Sequence, residues 1–180
     1  MMDILERPLA FTDVETTGLD SGTHEIVEIG MILVEQKSLR IIDTFEVKVH
    51  PLHIETASEF ALKLNGYNPE EWRFALSLEY AMELYADKTK SAIFCAHNVT
   101  FDWAFIDAGF KKSGVNNLMD YHRIDLFTAA FRELRNSGLQ KFNQNEVAKF
   151  LGIPEEPLPH RAINGVWTAY HIYRHLTQAR

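Results

Sequence analysis

The chain has 180 residues, of which 46% are hydrophobic and 24% charged, with a formal net charge of −7. That is the size of one domain, expected over residues 1–180, and the balance of a folded globular protein; it excludes disorder, collagen-like repeats and disulfide-rich scaffolds. The charge is uneven: residues 1–108 hold 8 Lys/Arg against 19 Asp/Glu, whereas residues 109–180 hold 10 against 6, so binding nucleic acid by a broad basic face of the front half is excluded.

In chain order, Met1 to Leu9 carries acids at Asp3 and Glu6 and lacks the basic-then-apolar order of a signal peptide. No apolar run approaches the ~18 residues of a membrane span, so a cytoplasmic protein that does not meet a membrane is expected. Pro8–Val14 reads as a short apolar strand ending at the turn Thr17-Gly18, and Ile26–Val34 as a second strand rich in β-branched residues. Arg40–Val49 alternates, with Ile42, Thr44, Glu46 and Lys48 on one face and Ile41, Asp43, Phe45 and Val47 on the other. Short connections between the three predict an antiparallel meander. The period then becomes helical. Ala57–Leu64 stops at Asn65-Gly66, Asn68-Pro69-Glu70-Glu71 reads as a helix start, and Ser77–Tyr85 as another helix. Ser91–Ala96 is an unbroken apolar run, the pattern of a strand buried on both faces; its Cys95, the single cysteine, cannot form an internal disulfide. A helix over about 100–112 follows, then a short strand at Arg123-Ile124-Asp125, helices at Phe127–Arg135 and Asn143–Leu151, and a last helix over Arg161–Thr177. That helix carries Ile163, Val166, Trp167, Tyr170, Tyr173 and Leu176 on one stripe. Three antiparallel strands followed by strand–helix alternation predict an α/β domain, a mixed five-stranded sheet covered by helices.

Three segments carry chemistry. In Phe11-Thr12-Asp13-Val14-Glu15-Thr16-Thr17-Gly18, Asp13 and Glu15 are two apart on a strand, so both project to one face. Paired carboxylates at a strand end are costly unless a cation neutralises them, and oxygen-only ligands suit Mg²⁺ or Mn²⁺. Taken alone, the pair reads equally as edge charge beside a turn. The Thr-Thr-Gly that follows offers a tight turn with N–H groups and hydroxyls that could hold a nucleotide. Ala96-His97-Asn98-Val99-Thr100-Phe101-Asp102 leaves the buried strand and enters a helix, which puts Asp102 in its first turn, near the carboxyl end of the sheet. The plain alternative there is a helix cap. Pro159-His160-Arg161-Ala162-Ile163-Asn164-Gly165 opens the last helix.

In this order the three segments resemble the motifs of the DEDD-type 3′–5′ exonucleases, in the histidine (DEDDh) subgroup of DnaQ-like proofreading subunits and RNase T-like enzymes. The first matches D-x-E-[TS]-T-G at Asp13, Glu15, Thr16, Thr17 and Gly18. The second matches H-N-x-x-F-D at His97, Asn98, Phe101 and Asp102. The third matches the start of H-x-A-x-x-D at His160 and Ala162. Glu25–Gly30, Asn65-Gly66-Tyr67 and Ile124-Asp125-Leu126 agree in register. The resemblance implies an RNase H-like fold and two-metal hydrolysis of a phosphodiester at a single-stranded 3′ end of DNA or RNA, releasing nucleoside monophosphates. Two Mg²⁺ or Mn²⁺ ions would clamp the scissile phosphate, activating water and stabilising the leaving oxygen. Asp13 would bridge both ions, Glu15 would hold the nucleophile-side ion and Asp102 would support the second. His160 would be the general base, a role suited to a residue type that titrates near neutrality. Thr16, Thr17 and Gly18, with His97, Asn98 and Phe101, would bind substrate. RNase T-type members are homodimers and others monomers, and the sequence does not choose between them.

The chain departs from the pattern at one position. The family's last aspartate falls five residues after the histidine, where this chain has Gly165. Asn164 is neutral and lies about 100° away around a helix, and no Asp or Glu follows Pro157. An acid from elsewhere or Asn164 completes the site after a local shift, with activity expected to be impaired by the missing fourth carboxylate, or the chain is a catalytically degenerate homologue that binds nucleic acid or a partner without cutting.

Overall fold

The structure, a computed structural model, describes residues 3–178. Five strands form one mixed sheet: β1 (Leu9–Thr16), β2 (Ile26–Val34), β3 (Ile41–Lys48), β4 (Ile93–Ala96) and β5 (Arg123–Asp125), in the spatial order β3-β2-β1-β4-β5. β1 pairs antiparallel with β2, and β2 with β3, whereas β4 runs parallel to both β1 and β5. This is the sheet the sequence predicts. The helices are α1 (Glu59–Asn65), α2 (Leu78–Lys88), α3 (Val99–Ser113), α4 (Leu126–Leu134), α5 (Gln144–Phe150) and α6 (Ala162–Gln178).

Burial follows position in the sheet. All nine residues of β2, Glu28 included, and all four of the apolar β4 are buried, as inner strands covered on both faces require, while the edge strand β3 exposes Ile42, Thr44 and Glu46 and turns Phe45 inward. Of three apolar clusters, two flank the sheet, one per face, and the third joins α4, α5 and α6. Ala10, Val14, Ile29, Met31 and Phe94 meet Tyr85, Phe105 and Ile106 of α2 and α3; Leu9, Phe11, Ile32 and Cys95 meet Val166, Ala169 and Tyr170 of α6. The odd-numbered positions of β1 therefore face α6, and Asp13 and Glu15 continue that face toward the strand's carboxyl end.

Two expectations fail locally. Asn68-Pro69-Glu70-Glu71 forms successive turns rather than a helix. Glu71 N and Trp72 N both donate to Asn68 O, but Trp72 is wholly buried with its Nε1 donating to Val27 O (2.9 Å), and Leu76 bridges to Val49. Anchoring the tryptophan on the sheet and drawing Leu76 alongside the end of β3 stops the helix after its first turn. Trp167, predicted on the buried stripe of α6, is 37% exposed, because Gly165, Val166, Ala169 and Ile172 face the sheet and its neighbouring helices instead.

The approach of α6 to the sheet depends on small residues. Gly30 of β2 lies opposite Asp13 in the β1–β2 register, and a Cβ there would stand 2.5 Å from the carbonyl carbon of Ala162 and 2.6 Å from the N of Ile163. Only hydrogen fits between the strand and the first turn of this helix.

Candidate active site

Asp13, Glu15, His97, Asn98, Phe101, Asp102 and His160 line one open cleft of about 450 Å³, at the carboxyl ends of the parallel strands. Each arrives by a separate local device. Asp13 and Glu15 come from β1. Asp102 sits in the first turn of α3, where its Oδ1 accepts a hydrogen bond from Val14 N (3.1 Å), locking helix and strand together between the two β1 carboxylates. The start of α3 is fixed by Asp125, whose Oδ1 accepts from Val99 N (3.1 Å) while its Oδ2 caps α4 at Thr128 N. That is the structural meaning of the Ile124-Asp125-Leu126 agreement.

His160 is placed by α1. Gly66 closes that helix with φ of +63°, and the freed carbonyls of its last turn take donors from the segment before α6: His160 N donates to Leu64 O (3.0 Å) and Arg161 Nη1 to Asn65 O (2.6 Å). Asn65 in turn donates from Nδ2 to Thr16 O (3.0 Å), tying β1 to the same knot. Glu28, fully buried, accepts from Ala162 N (3.3 Å) at the amino end of α6 and pairs with Arg161 (3.4 Å). Sequence reasoning noted Glu25–Gly30 and Asn65-Gly66-Tyr67 only as agreements in register. The structure makes them the frame of His160.

The other expected substrate residues differ in placement. Thr16, Thr17 and Gly18 are buried in the turn rather than lining the cleft; Thr16 Oγ1 donates to Gly18 O (2.7 Å), and Thr17 Oγ1 accepts from Glu25 N (2.9 Å). His97 lines the cleft, but its Nε2 donates to Phe142 O (2.7 Å), holding the segment before α5, and burial keeps its pKa below the ordinary value. Asn98 adopts a left-handed backbone (φ 62°) that turns the chain from β4 into α3. Asn164 does not line the cleft.

Electrostatically the cleft is strained. The carboxylates of Asp13 and Glu15 accept no hydrogen bond from the described residues. Burial, and then the charges of Glu156, Glu28 and Asp102, push Glu15 up to about 8; burial, and then Asp102 and Glu15, hold Asp13 well above the ordinary range. Burial raises Asp102 to about 7 against the opposing bond from Val14 N. Half-buried β1 carboxylates that accept no hydrogen bond, beside Asp102, suit a divalent cation: the residues fit the ions that the motifs imply, with oxygen donors of the kind Mg²⁺ or Mn²⁺ take.

Gly165 is buried against this group, and a Cβ on it would stand 2.7 Å from Asp13 Oδ2. The cleft also holds an acid that sequence reasoning missed. Glu156 lies in the loop between α5 and α6, with Oε2 3.9 Å from His160 Nδ1, and burial raises its pKa. No periodicity marks a loop acid, so only its position four residues before His160 could have drawn attention to it.

A mixed sheet with acids on its first strand and a histidine before its last helix defines an RNase H-like nuclease fold. Residues 10–173 match the exonuclease family typified by RNase T, and the chain belongs to that family, within the DnaQ-like exonucleases. It is 31% identical over 180 residues to the PolC-type DNA polymerase III of Staphylococcus haemolyticus and 33% identical over 135 residues to that of Caldanaerobacter subterraneus. These matches cover 98% and 73% of this chain but only 12% and 9% of the relatives, so the chain spans about a tenth of their length. Among solved structures, exonuclease I superposes with a TM-score of 0.81 at 18% identity, over 97% of this chain and 41% of that one. An E. coli exonuclease I structure holding a dT13 oligonucleotide gives 0.78, also at 18% identity, over 97% of this chain and 42% of that one. The family is generally dependent on divalent metal. Among the described residues no helix is long and apolar enough to cross a membrane.

Proposed function

We propose that this chain is a divalent-metal-dependent 3′–5′ exonuclease that releases nucleoside monophosphates from single-stranded 3′ ends. The observation that carries the reading is the convergence of Asp13, Glu15, Asp102 and His160 on one cleft whose β1 carboxylates have no hydrogen-bond donors. DNA is favoured over RNA by the PolC-type polymerases among the relatives and by the oligonucleotide-bound exonuclease I among the structural neighbours.

Asp13, Glu15 and Asp102 would hold Mg²⁺ or Mn²⁺. When bound, the ions neutralise the phosphodiester and lower the pKa of the attacking water. Asp102, locked to Val14 N, keeps the far side of the site fixed relative to β1. His160 turns Nδ1 toward Glu156, which leaves Nε2, without a partner among the described residues, to take the proton of the attacking water. Phe101, at the cleft wall, offers a ring on which the terminal base can stack.

The test is trimming of a 5′-labelled single-stranded oligonucleotide with Mn²⁺. The wild type is expected to shorten it from the 3′ end, and Asp13→Ala and His160→Ala to lose at least about 100-fold. A second reading rests on Gly165: a degenerate homologue would bind the oligonucleotide, leave it intact and respond to neither substitution. That result would replace the first.

A further inference from the structure

The aspartate missing from the family pattern leaves one carboxylate to be found. It cannot come from position 165, a glycine without a side chain, against which the carboxylate of Asp13 packs. It cannot come from further along α6, which has no acid after Pro157. Glu156 reaches the cleft from the other direction, through the loop that leads into His160.

Its environment is not that of a surface acid. The side chain is only 6% exposed, yet Oε1 takes a single long bond from Arg161 N (3.4 Å) and Oε2 accepts none among the described residues. The adjacent cation does not pair with it: the Arg161 guanidinium is turned to Glu28 (3.4 Å), Asn65 O and Glu71 (3.5 Å). A ligating atom each from Glu156, Glu15 and His160 lie within 4.8 Å of one another. A buried carboxylate whose nearest partner is a histidine ring 3.9 Å away, beside a second carboxylate, is costly unless an ion is shared between them.

We propose that Glu156 supplies the fourth carboxylate of the metal site, in place of the acid missing at Gly165. The proposal rests on the metal-dependent reading above and adds to it the residue that completes the nucleophile-side ion next to Glu15. The ligand's origin in a loop keeps the site's charge at four carboxylates while leaving α6 free to pack its glycine on Asp13. The competing role for Glu156, orienting the His160 ring without touching metal, leaves divalent-ion affinity unchanged.

The test is calorimetric titration of Mn²⁺ into the EDTA-stripped chain, for wild type, Glu156→Gln, Glu156→Asp and Asp13→Ala, with melting in EDTA as a check on folding. Glu156→Gln is expected to weaken Mn²⁺ at least about 10-fold, since even indirect partners of metal ligands contribute 10–100-fold. Glu156→Asp should fall between it and wild type. In EDTA, Glu156→Gln should melt no lower than wild type, because it removes a charge from a crowded acidic site. Mn²⁺ binding by Glu156→Gln weakened by less than about 10-fold, with Asp13→Ala impaired, overturns the proposal and leaves the nuclease reading standing. Absence of Mn²⁺ binding by the wild type itself overturns both.

Discussion

Replacing Gly30 with alanine should damage both the fold and the site, although it adds one methyl group to a strand far from solvent. The new Cβ would lie 2.5 Å from Ala162 C, 2.6 Å from Ile163 N and 2.7 Å from Ala162 O, about 1 Å inside ordinary contact, and all three atoms are backbone. The first turn of α6 cannot retreat freely, being held by Glu28 at Ala162 N, by Asn65 O at Arg161 and by Leu64 O at His160 N. Overpacking of this kind costs about 2–3 kcal/mol, and a domain of this size should lose about 5–8 °C in melting temperature. A shift of about 1 Å between His160 and Asp13 should also lower oligonucleotide trimming by about 100-fold. Gly109→Ala is the matched control, because its Cβ would meet the Met82 thioether at 3.0 Å, a flexible end that can move aside; it should stay within about 1 kcal/mol of wild type. Thermal melting and trimming of both variants decide the matter. A Gly30→Ala protein that melts within about 1 °C of wild type and trims at the wild-type rate would refute the close-approach argument.

The metal-free protein should lose stability as pH rises from about 5 to 8. Asp13, Glu15 and Asp102 have folded pKa values above those of the unfolded chain, so the native state binds more protons and ionising them works against folding. The effect is on the order of a few kcal/mol, and saturating Mn²⁺ should flatten it; melting in EDTA that rises with pH over this range contradicts the assignment. Gly165→Asp, the change that restores the family pattern, should be less stable than wild type in EDTA by about 1–3 kcal/mol, since it sets a further carboxylate against the Asp13 carboxylate, which lies 2.7 Å from the position of its Cβ; calorimetry should find Mn²⁺ affinity raised by less than about three-fold. Trp72→Phe should cost about 1–3 kcal/mol in urea unfolding, because the core loses the Nε1 bond to Val27 O and part of a wholly buried ring while that carbonyl keeps Val49 N (2.8 Å) as a donor, and unchanged unfolding would show the indole not to anchor this segment.

The amino-acid sequence by itself determined the strands, all six helices, the mixed α/β class and the three motif segments, because each rests on local information. Period-two alternation marks β3, β-branched content marks β2, an unbroken apolar run marks β4, and Asn65-Gly66 closes α1 by a left-handed residue. Helix α5 was likewise read from its pattern, with its boundary set by the Asn143 cap at Glu146 N. Asn68 to Glu71 shows where such information ends. A local helix signal lost to the burial of Trp72 against Val27, a contact across 45 residues of chain. Tertiary structure alone decided how the site is held and completed. That Gly30 makes room for α6, that Asn65 and Leu64 position His160, and that Glu156 enters the cleft left short of an acid by Gly165 are facts about pairs distant in sequence. A strand glycine or a loop glutamate carries no periodicity to announce its partner; its role is set by which backbone and which charge the fold brings against it.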